Sequence, residues 1–315
     1  MATAAIVGTG LIGQAWANVF ARAGWDVNLW DPDPAQHAGA AARVAQSLHE
    51  LARHGLVKDP GAAAKRLRTA MSLEDAVKDA AYVQECGPER LEVKRATFAK
   101  LDAAAPATAV LASSTSAIVA SKFTEALAGR ARCIVAHPVN PPHLVPVVEL
   151  CGAPWTAPET KQRALEILRG VGQVPIDVKK EVDGFILNRL QIALLTEAFR
   201  LVQEGYVSPE DLDHTIADGL GLRWAFMGPF ETIELNAPAG VADYCERYVD
   251  WFRRYMADLP SPKVWDEAQW QLAARAWGRT PTPAQVAEKS LWRNDRLAAL
   301  VAHKRAQKSH EPQSR

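Results

Sequence analysis

The feature that most constrains this chain is a glycine-rich turn between a short apolar strand and a helix, close to the N-terminus. Residues 4–7 are apolar, and the motif Gly-Thr-Gly-Leu-Ile-Gly follows at 8–13. Helix-compatible spacing continues to residue 22, and a second apolar strand at 27–30 ends on Asp31. The order strand, GxGxxG, helix, strand and acidic residue is typical of the first βαβ unit of a dinucleotide-binding fold.

Each position of this motif has a physical role. Gly8 allows the tight turn, Gly10 lets the backbone approach a pyrophosphate, and Gly13 lets the helix pack closely on the strand. The helix N-terminus offers unpaired N–H groups to the phosphates. Asp31 lies eighteen residues after Gly13 (31 − 13 = 18), where a carboxylate binds the ribose diol and repels a 2′-phosphate. We therefore predict NAD rather than NADP as the cofactor, bound by Gly8, Gly10, Leu11, Ile12, Gly13 and Asp31.

Short apolar strands continue to alternate with helical stretches up to about residue 180. Further candidate strands lie at 81–83, 109–112 and 133–136. This alternation indicates an α/β fold, with a Rossmann-type, mostly parallel sheet covered by helices. From Val182 onward, apolar residues recur at helical spacing, which predicts an all-helical C-terminal domain. We expect an NAD-binding Rossmann-like domain at residues 1–180 and a helical substrate and dimerisation domain at 181–315.

A histidine and a carboxylate bracket a proline-stiffened loop further along the chain. His137 follows the apolar run 133–136, and Glu149 lies twelve positions later (149 − 137 = 12) in the apolar stretch 145–150. A strand–loop–strand unit of this kind brings its two ends back together. We expect a histidine there to serve in general acid–base chemistry, with Glu149 fixing its ring and its tautomer. A purely structural His–Glu pair is the alternative interpretation.

Hydroxyl groups follow the neighbouring candidate strand. Ligands of parallel sheets bind beyond the carboxyl ends of the strands, and Ser113-Ser114-Thr115-Ser116 follows the strand at 109–112. We therefore expect Ser116 to face the same crevice as His137. The alternative is that these hydroxyl groups only cap a helix that begins near Ile118.

Three further polar residues allow two interpretations each. Asn188 starts an apolar-faced helix, so its amide is either a crevice residue or a buried interhelical amide. Arg223 lies in an otherwise apolar run and needs an anionic partner if buried. That partner is either a substrate carboxylate or a fixed carboxylate such as Glu231. Lys94 is either a functional side chain or a solvated helix charge.

Composition excludes several classes of partner. The chain has 315 residues, and Lys+Arg and Asp+Glu both number 36, so the net charge is zero. We therefore expect no nucleic acid or anionic membrane as a partner. No N-terminal targeting pattern or bilayer-length apolar run is present in the sequence, which predicts a cytoplasmic protein. The histidines and cysteines lack metal-ligand spacing, so we expect no metal.

Together these motifs resemble the 3-hydroxyacyl-CoA dehydrogenase superfamily over nearly the whole chain. The resemblance is greatest to the lambda-crystallin branch, whose members act as L-gulonate 3-dehydrogenases. The matching segments are GTGLIG at 8–13, CGPERLEVK at 86–94, SSTSA at 113–117, HPVNPP at 137–142, GFILNRLQ at 184–191 and SPEDLDHTIADGLGLRWAFMGPFETIELN at 208–236. HPVNPP and the last segment are specific to this branch.

The resemblance implies a role for each matching residue. It makes His137 the catalytic base with Glu149 as its partner, and Ser116 and Asn188 the residues that bind the reacting oxygen. Arg223 matches a residue suited to a substrate carboxylate. The residues implied on the nicotinamide side of the cofactor are Glu89, Lys94, Ser116 and Asn140. The branch further implies a homodimer and oxidation of the C3 hydroxyl of a small 3-hydroxy acid, with L-gulonate as the expected substrate.

Other functions remain open at the level of sequence. An L-3-hydroxyacyl-CoA dehydrogenase would use the same chemistry, but residues 31–85 lack a clear lysine cluster for CoA phosphates, and Arg223 suits a free carboxylate better than a thioester. A carnitine-type dehydrogenase needs a cage for a quaternary ammonium, which we cannot assign from the sequence. A non-enzymatic, crystallin-like NAD-binding protein, or a regulatory one, would not need His137 and Glu149.

Overall fold

The computed structural model describes residues 2–307 of the chain. Eight strands form one sheet: β1 (Thr3–Val7), β2 (Asp26–Trp30), β3 (Leu67–Thr69), β4 (Tyr82–Glu85), β5 (Val110–Ser113), β6 (Cys133–Pro138), β7 (Val147–Gly152) and β8 (Val174–Val178). The helices in the first two thirds of the chain are α1 (Leu11–Arg22), α2 (Pro34–His37), α3 (Ala40–Arg53), α4 (Pro60–Ala64), α5 (Leu73–Val77), α6 (Leu91–Ala104), α7 (Ser121–Thr124), α8 (Pro158–Gly170) and α9 (Leu187–Gln203).

The remaining helices are α10 (Pro209–His214), α11 (Gly221–Trp224), α12 (Pro229–Glu234), α13 (Gly240–Met256), α14 (Glu267–Trp277) and α15 (Pro283–Gln307). A π-helical segment at Thr215–Leu220 joins α10 to α11, and 3₁₀ turns lie at Arg130–Arg132 and Pro262–Trp265. No helix among residues 2–307 combines the length and the apolar character that crossing a bilayer requires.

The sheet is mostly parallel, as predicted. Its strand order is β3-β2-β1-β4-β5-β6-β7-β8, and the pair β6–β7 is antiparallel whereas all other neighbouring pairs are parallel. The antiparallel pair follows from the short connection between its strands, because a parallel pair needs a longer crossover. The order places the carboxyl ends of β1, β4, β5 and β6 side by side, and these are the ends that carry the predicted site residues.

Helices cover both faces of the sheet, and the strand residues alternate accordingly. On β1, Ala4 and Ile6 belong to one buried cluster with α1 and α3, while Ala5 and Val7 belong to another with α5 and α6. Strand side chains point alternately to opposite faces. Near-continuous apolar strands such as β1 and β6 are therefore those buried on both faces.

The structure corrects one local prediction. The helix expected near Ile118 begins at Ser121 and spans only one turn. The Thr115 hydroxyl group accepts a hydrogen bond from the Ile118 amide within the preceding turn.

The chain divides into two compact units. One comprises the residues up to Asn188 together with those from Ser290 onward, and the other comprises Arg189–Lys289. The first unit contains the sheet, and Ala298 of α15 is buried in its core. The second unit is helical, and within it, where every residue is described, the only buried apolar side chains are Ala237, Val264 and Ala273.

Candidate active site

The two residues at the centre of the predicted acid–base pair lie opposite each other in the sheet. His137 on β6 is the register partner of Glu149 on β7, and 2.8 Å separate Nδ1 of His137 from Oε2 of Glu149. Both side chains are buried, with 6% and 2% of the residue exposed. The predicted juxtaposition is thus confirmed, and it follows from the short loop that returns the chain as an antiparallel strand.

The second oxygen of Glu149 accepts two backbone hydrogen bonds. Its Oε1 lies 2.8 Å from the amide nitrogen of Ile186 and 2.9 Å from that of Leu187, at the start of α9. Burial alone raises the pKa of Glu149, but the hydrogen bonds from His137, Leu187 and Ile186 and the nearby imidazole together hold that pKa below its usual value. The carboxyl group is therefore ionised at neutral pH.

An ionised carboxylate can only accept a hydrogen bond, so it selects one tautomer of the histidine. Nδ1–H of His137 donates to Glu149, which leaves Nε2 as the proton acceptor. The pair can thus take a proton from a bound hydroxyl group, and the carboxylate then stabilises the resulting imidazolium.

Ser116 and Asn188, predicted to bind the reacting oxygen, also lie together. The side-chain Nδ2 of Asn188 donates to the backbone carbonyl of Ser116 over 3.0 Å. Both residues are half-buried. The bond uses the Ser116 backbone, so the hydroxyl group of that residue remains available to a ligand.

Glu89 organises the turn that contains Ser116. Its carboxylate accepts hydrogen bonds from the Thr115 hydroxyl group and from the amides of Ser116 and Ala117 at 3.3 and 3.4 Å. Glu89 itself is exposed. The structure therefore brings this predicted cofactor residue to the predicted substrate residue Ser116.

The environment of Lys94 decides against one of its two predicted interpretations. It is a buried residue of α6, and its Nζ lies 3.0 and 3.2 Å from the two carboxylate oxygens of Glu85 at the end of β4. The interpretation as a solvated helix charge is therefore wrong. Ser113 also donates to Glu85, and so does the Gly87 amide over 2.7 Å. Lys94 thus supports the strand ends next to the cofactor turn, and a direct contact with the cofactor stays a prediction.

The glycine turn fits a dinucleotide. Gly8 has φ of 99°, and a Cβ there would lie 2.8 Å from the backbone of Cys86. A Cβ on Gly13 would lie 1.8 Å from the Gly8 carbonyl oxygen, whereas one on Gly10 would meet nothing within 4 Å. The backbone at Gly10 is therefore open to a pyrophosphate, and no side chain caps α1 at this end.

The neighbouring side chains complete this part of the site. Asp31 accepts hydrogen bonds from the amide and the hydroxyl group of Thr9, at 2.6 and 3.3 Å, which fixes its carboxylate beside the turn. Leu11 is largely exposed and Ile12 is half-buried, so both can line a ligand on this side. Asn140 is exposed in the loop that follows β6.

Arg223 lies in the second unit, in the single turn α11, and is exposed. The burial that would have required an anionic partner for Arg223 is therefore not found. Its apolar neighbours Leu222, Trp224 and Phe226 are exposed as well. Its role toward a substrate carboxylate stays a prediction.

Sequence reasoning missed several residues that shape the site. Thr9 follows β1 and Glu85 ends β4, and these positions alone would have marked both residues as candidates. Phe185 gave no such signal: its ring centroid lies 5.6 Å from that of His137 and its backbone has φ of 46°. Among residues 2–307, no group of three or more His, Cys, Asp or Glu side chains is arranged to hold a metal ion.

Comparison with known proteins finds family matches for both the sheet-containing and the helical part of the chain. Residues 3–182 match the family described as "3-hydroxyacyl-CoA dehydrogenase, NAD binding domain", and residues 184–271 match "3-hydroxyacyl-CoA dehydrogenase, C-terminal domain". The chain is 42% identical to lambda-crystallin of Oryctolagus cuniculus over 305 residues, which is 95% of each chain. It is 38% identical to L-carnitine dehydrogenase of Pseudomonas sp over 305 residues, covering 95% of this chain and 92% of that protein.

A solved structure agrees with this assignment. The NAD+-dependent dismutase 5-formyl-3-hydroxy-2-methylpyridine 4-carboxylic acid 5-dehydrogenase superposes with a TM-score of 0.80 at 27% identity, covering 97% of this chain and 98% of that one. The matched regions include the glycine turn, the His137–Glu149 pair and Asn188. The chain therefore belongs to the 3-hydroxyacyl-CoA dehydrogenase family and is an NAD-dependent dehydrogenase that acts on a CH–OH group.

Proposed function

We propose that this enzyme oxidises the C3 hydroxyl group of a small 3-hydroxy acid, and that its substrate is L-gulonate, which it converts to 3-dehydro-L-gulonate. The observation that carries the proposal is the buried His137–Glu149 pair with its tautomer fixed by the ionised carboxylate. A proton acceptor of this kind is what oxidation of a secondary alcohol requires. The similarity to L-carnitine dehydrogenase, whose named substrate is a 3-hydroxy acid with a free carboxylate, supports a free hydroxy acid as the substrate class.

The chemistry divides between the cofactor and the side chains. NAD, when bound, accepts the hydride from C3. Nε2 of His137 takes the hydroxyl proton as the C3–O bond becomes a carbonyl, and Glu149 stabilises the imidazolium. The Ser116 hydroxyl group and the Asn188 amide orient the reacting oxygen. In the reverse direction His137 returns the proton to the developing alkoxide.

Arg223 is proposed to bind the C1 carboxylate of the substrate. A guanidinium group binds a carboxylate through two parallel hydrogen bonds, and the Arg223 side chain is exposed. A thioester offers no charge to bind, which argues against an acyl-CoA substrate.

L-Carnitine is the second candidate substrate. It is also a 3-hydroxy acid with a C1 carboxylate, and this chain is 37–39% identical to three L-carnitine dehydrogenases. Carnitine differs from gulonate by a quaternary ammonium group, which aromatic side chains bind through cation–π attraction. Trp224, Phe226 and Phe230 near Arg223 in sequence are exposed aromatic residues of the second unit, and they are the candidates for such a contact.

Steady-state NADH formation tests these assignments. For the wild-type enzyme, kcat/KM is compared among L-gulonate, L-carnitine, L-3-hydroxybutyrate and L-3-hydroxybutyryl-CoA as substrates. We expect L-gulonate to give the highest kcat/KM, and His137→Ala to lower kcat by about 10²–10⁴-fold because the base is lost. Arg223→Ala should raise KM for the free acids by at least about tenfold, since a charged hydrogen bond contributes about 1.5–3 kcal/mol. The exposed Arg275 of the same unit provides the matched control, Arg275→Ala.

Each outcome has a defined meaning. If the CoA ester gave the highest kcat/KM and Arg223→Ala did not change it, the enzyme would be an L-3-hydroxyacyl-CoA dehydrogenase. Highest kcat/KM with L-carnitine would replace gulonate by the second candidate. If no substrate were oxidised while NADH still bound, the non-enzymatic, crystallin-like alternative would stand.

We also propose that the enzyme is a homodimer, with the NAD-binding domain at residues 1–180 and a helical substrate and dimerisation domain at 181–315. Support comes from the second unit, which buries only Ala237, Val264 and Ala273 among its apolar side chains. Folded units of that size need a larger apolar core than this. A second copy of the chain would supply the missing cover.

A further inference from the structure

The segment that links the sheet to α9 contains an unusual backbone conformation next to the acid–base pair. Gly184 and Phe185 both have positive φ, 76° and 46°. Among the residues that the structure describes, Phe185 is the one non-glycine residue with positive φ. Such a conformation disfavours a residue with a Cβ and persists only where its surroundings impose it.

The phenylalanine ring accounts for part of that constraint. It is fully buried, with 0% of the residue exposed, and belongs to the apolar cluster on one face of the sheet. The ring centroid lies 5.6 Å from that of His137, at an interplanar angle of 34°. The imidazole therefore lies beside an apolar ring, in a tilted arrangement.

The backbone hydrogen bonds that follow Phe185 account for the rest of the constraint on its conformation. The left-handed turn at Phe185 directs the next two amides, those of Ile186 and Leu187, onto Oε1 of Glu149 at 2.8 and 2.9 Å. The same carboxylate holds Nδ1 of His137 through Oε2. One residue thus contacts the imidazole with its ring and immobilises the partner carboxylate through its backbone.

We propose that Phe185 is a positioning residue for the proton transfer, acting through His137 and Glu149 and not on the substrate itself. This inference rests on the proposed role of His137 as the base. The ring fixes the plane of the imidazole, and the turn fixes the carboxylate that sets its tautomer. A displacement of a catalytic group by about 1 Å lowers turnover by as much as about 10²-fold.

A purely structural role does not require this backbone. Phe98 on α6 and Phe123 on α7 bury their rings in the same apolar cluster from helices, with 0% and 3% exposed. An apolar ring at this depth is therefore available without a strained conformation. The conformation at Phe185 is instead explained by the next two backbone amides in the chain, because it directs both of them onto Glu149.

The test compares Phe185→Leu and Phe185→Gly with the matched control Phe98→Leu. Leucine removes the flat ring and retains an apolar side chain at the same backbone conformation, whereas glycine removes the ring and relieves the strain of positive φ. We expect both Phe185 variants to lower kcat by about 10- to 100-fold, with KM and NADH affinity within about twofold of wild type. Phe98→Leu should lower Tm by about as much as Phe185→Leu does, and its kcat should stay within about twofold of wild type.

A second readout does not depend on turnover. The Nδ1–H proton of His137 that is bonded to Glu149 should give a downfield proton NMR signal, assigned by its absence in His137→Ala. We expect this signal in wild type and in Phe98→Leu, and its loss through exchange with water in both Phe185 variants. A signal and a kcat unchanged in both Phe185 variants would overturn the inference and leave the proposed function intact. Full activity in His137→Ala would instead overturn the proposed function.

Discussion

Lys94 and Glu85 form an ion pair that is withdrawn from water, with 1% of each side chain exposed. Removing two charges from water costs several kcal/mol per ion, and their attraction offsets this only when both partners are present. Glu85 also accepts hydrogen bonds from Ser113 and from the Gly87 amide. The pair therefore joins α6 to the ends of β4 and β5, beside the cofactor turn.

Lys94→Met should destabilise the protein by about 3–5 kcal/mol, because it leaves the Glu85 carboxylate buried without a cation. The measurement is the free energy of unfolding from urea titration. Lys100→Met on the same helix is the control, since Lys100 is exposed and should change stability by no more than about 0.5 kcal/mol.

The double variant Glu85→Gln, Lys94→Met separates charge from shape. We expect it to be more stable than Lys94→Met alone, because the uncompensated charge is removed. Equal stability of Lys94→Met and Lys100→Met would show that the ion pair contributes nothing. The affinity for NADH, measured on the same variants, decides separately whether Lys94 also contacts the cofactor.

At the scale of elements, the sequence predicts the parts of the fold whose residues are uniformly apolar. β1 and β6 are buried on both faces, and their apolar runs at 4–7 and 133–136 are continuous. The edge strands β3 and β8 were not predicted. β3 is three residues long with Arg68 at its centre, and β8 contains Pro175 and Asp177, so neither has an apolar run.

In the candidate active site too, some features are marked by the sequence and others are not. The pairing of His137 with Glu149 could be predicted because both are side chains with recognisable chemistry on adjacent strands. The second set of bonds to Glu149 comes from backbone amides, which any residue supplies and no sequence pattern marks. Phe185 adopts a conformation that favours glycine or asparagine, so its type gives no indication of the turn.

The first residue of α9 offers a way to remove one of those amides. Proline is tolerated at the first position of a helix, and it lacks the N–H group. Leu187→Pro therefore removes one of the two backbone hydrogen bonds to Glu149. We expect a loss of stability of about 1.5–3 kcal/mol at neutral pH, the usual contribution of a hydrogen bond to a charged group, together with a lower kcat.

The effect should depend on pH with a defined sign. The pKa of Glu149 is lowered in the folded protein, so its bonds stabilise the fold above the pKa of the unfolded state and lose this effect as the pH falls through the folded pKa. The control is Glu267→Pro at the first position of α14, where Glu267 is exposed. A stability difference between the two variants that did not shrink in acid would contradict this account.

At the scale of the whole molecule, the distribution of apolar surface is uneven. α9 spans seventeen residues, all of them described, and none is buried. Its exposed apolar side chains are Leu190, Ile192, Leu194 and Leu195. α13 carries a further exposed series with Tyr248, Trp251 and Tyr255, of which Trp251 and Tyr255 stack at 5.6 Å. Exposed large apolar side chains in such number on two helices are typical of an interface.

Ile192→Glu tests whether α9 forms the dimer interface. In a two-fold symmetric dimer the same surface meets itself, so each copy would bring a charge into the interface. We expect the wild type to sediment as a dimer and the variant to dissociate with a Kd at least about 100-fold higher, equivalent to about 2.8 kcal/mol. Met71→Glu is the control, because Met71 is equally apolar and 89% exposed in the first unit. If Met71→Glu dissociated the dimer and Ile192→Glu did not, the interface would lie on the first unit and not on α9. A monomeric wild type would refute the proposed dimer.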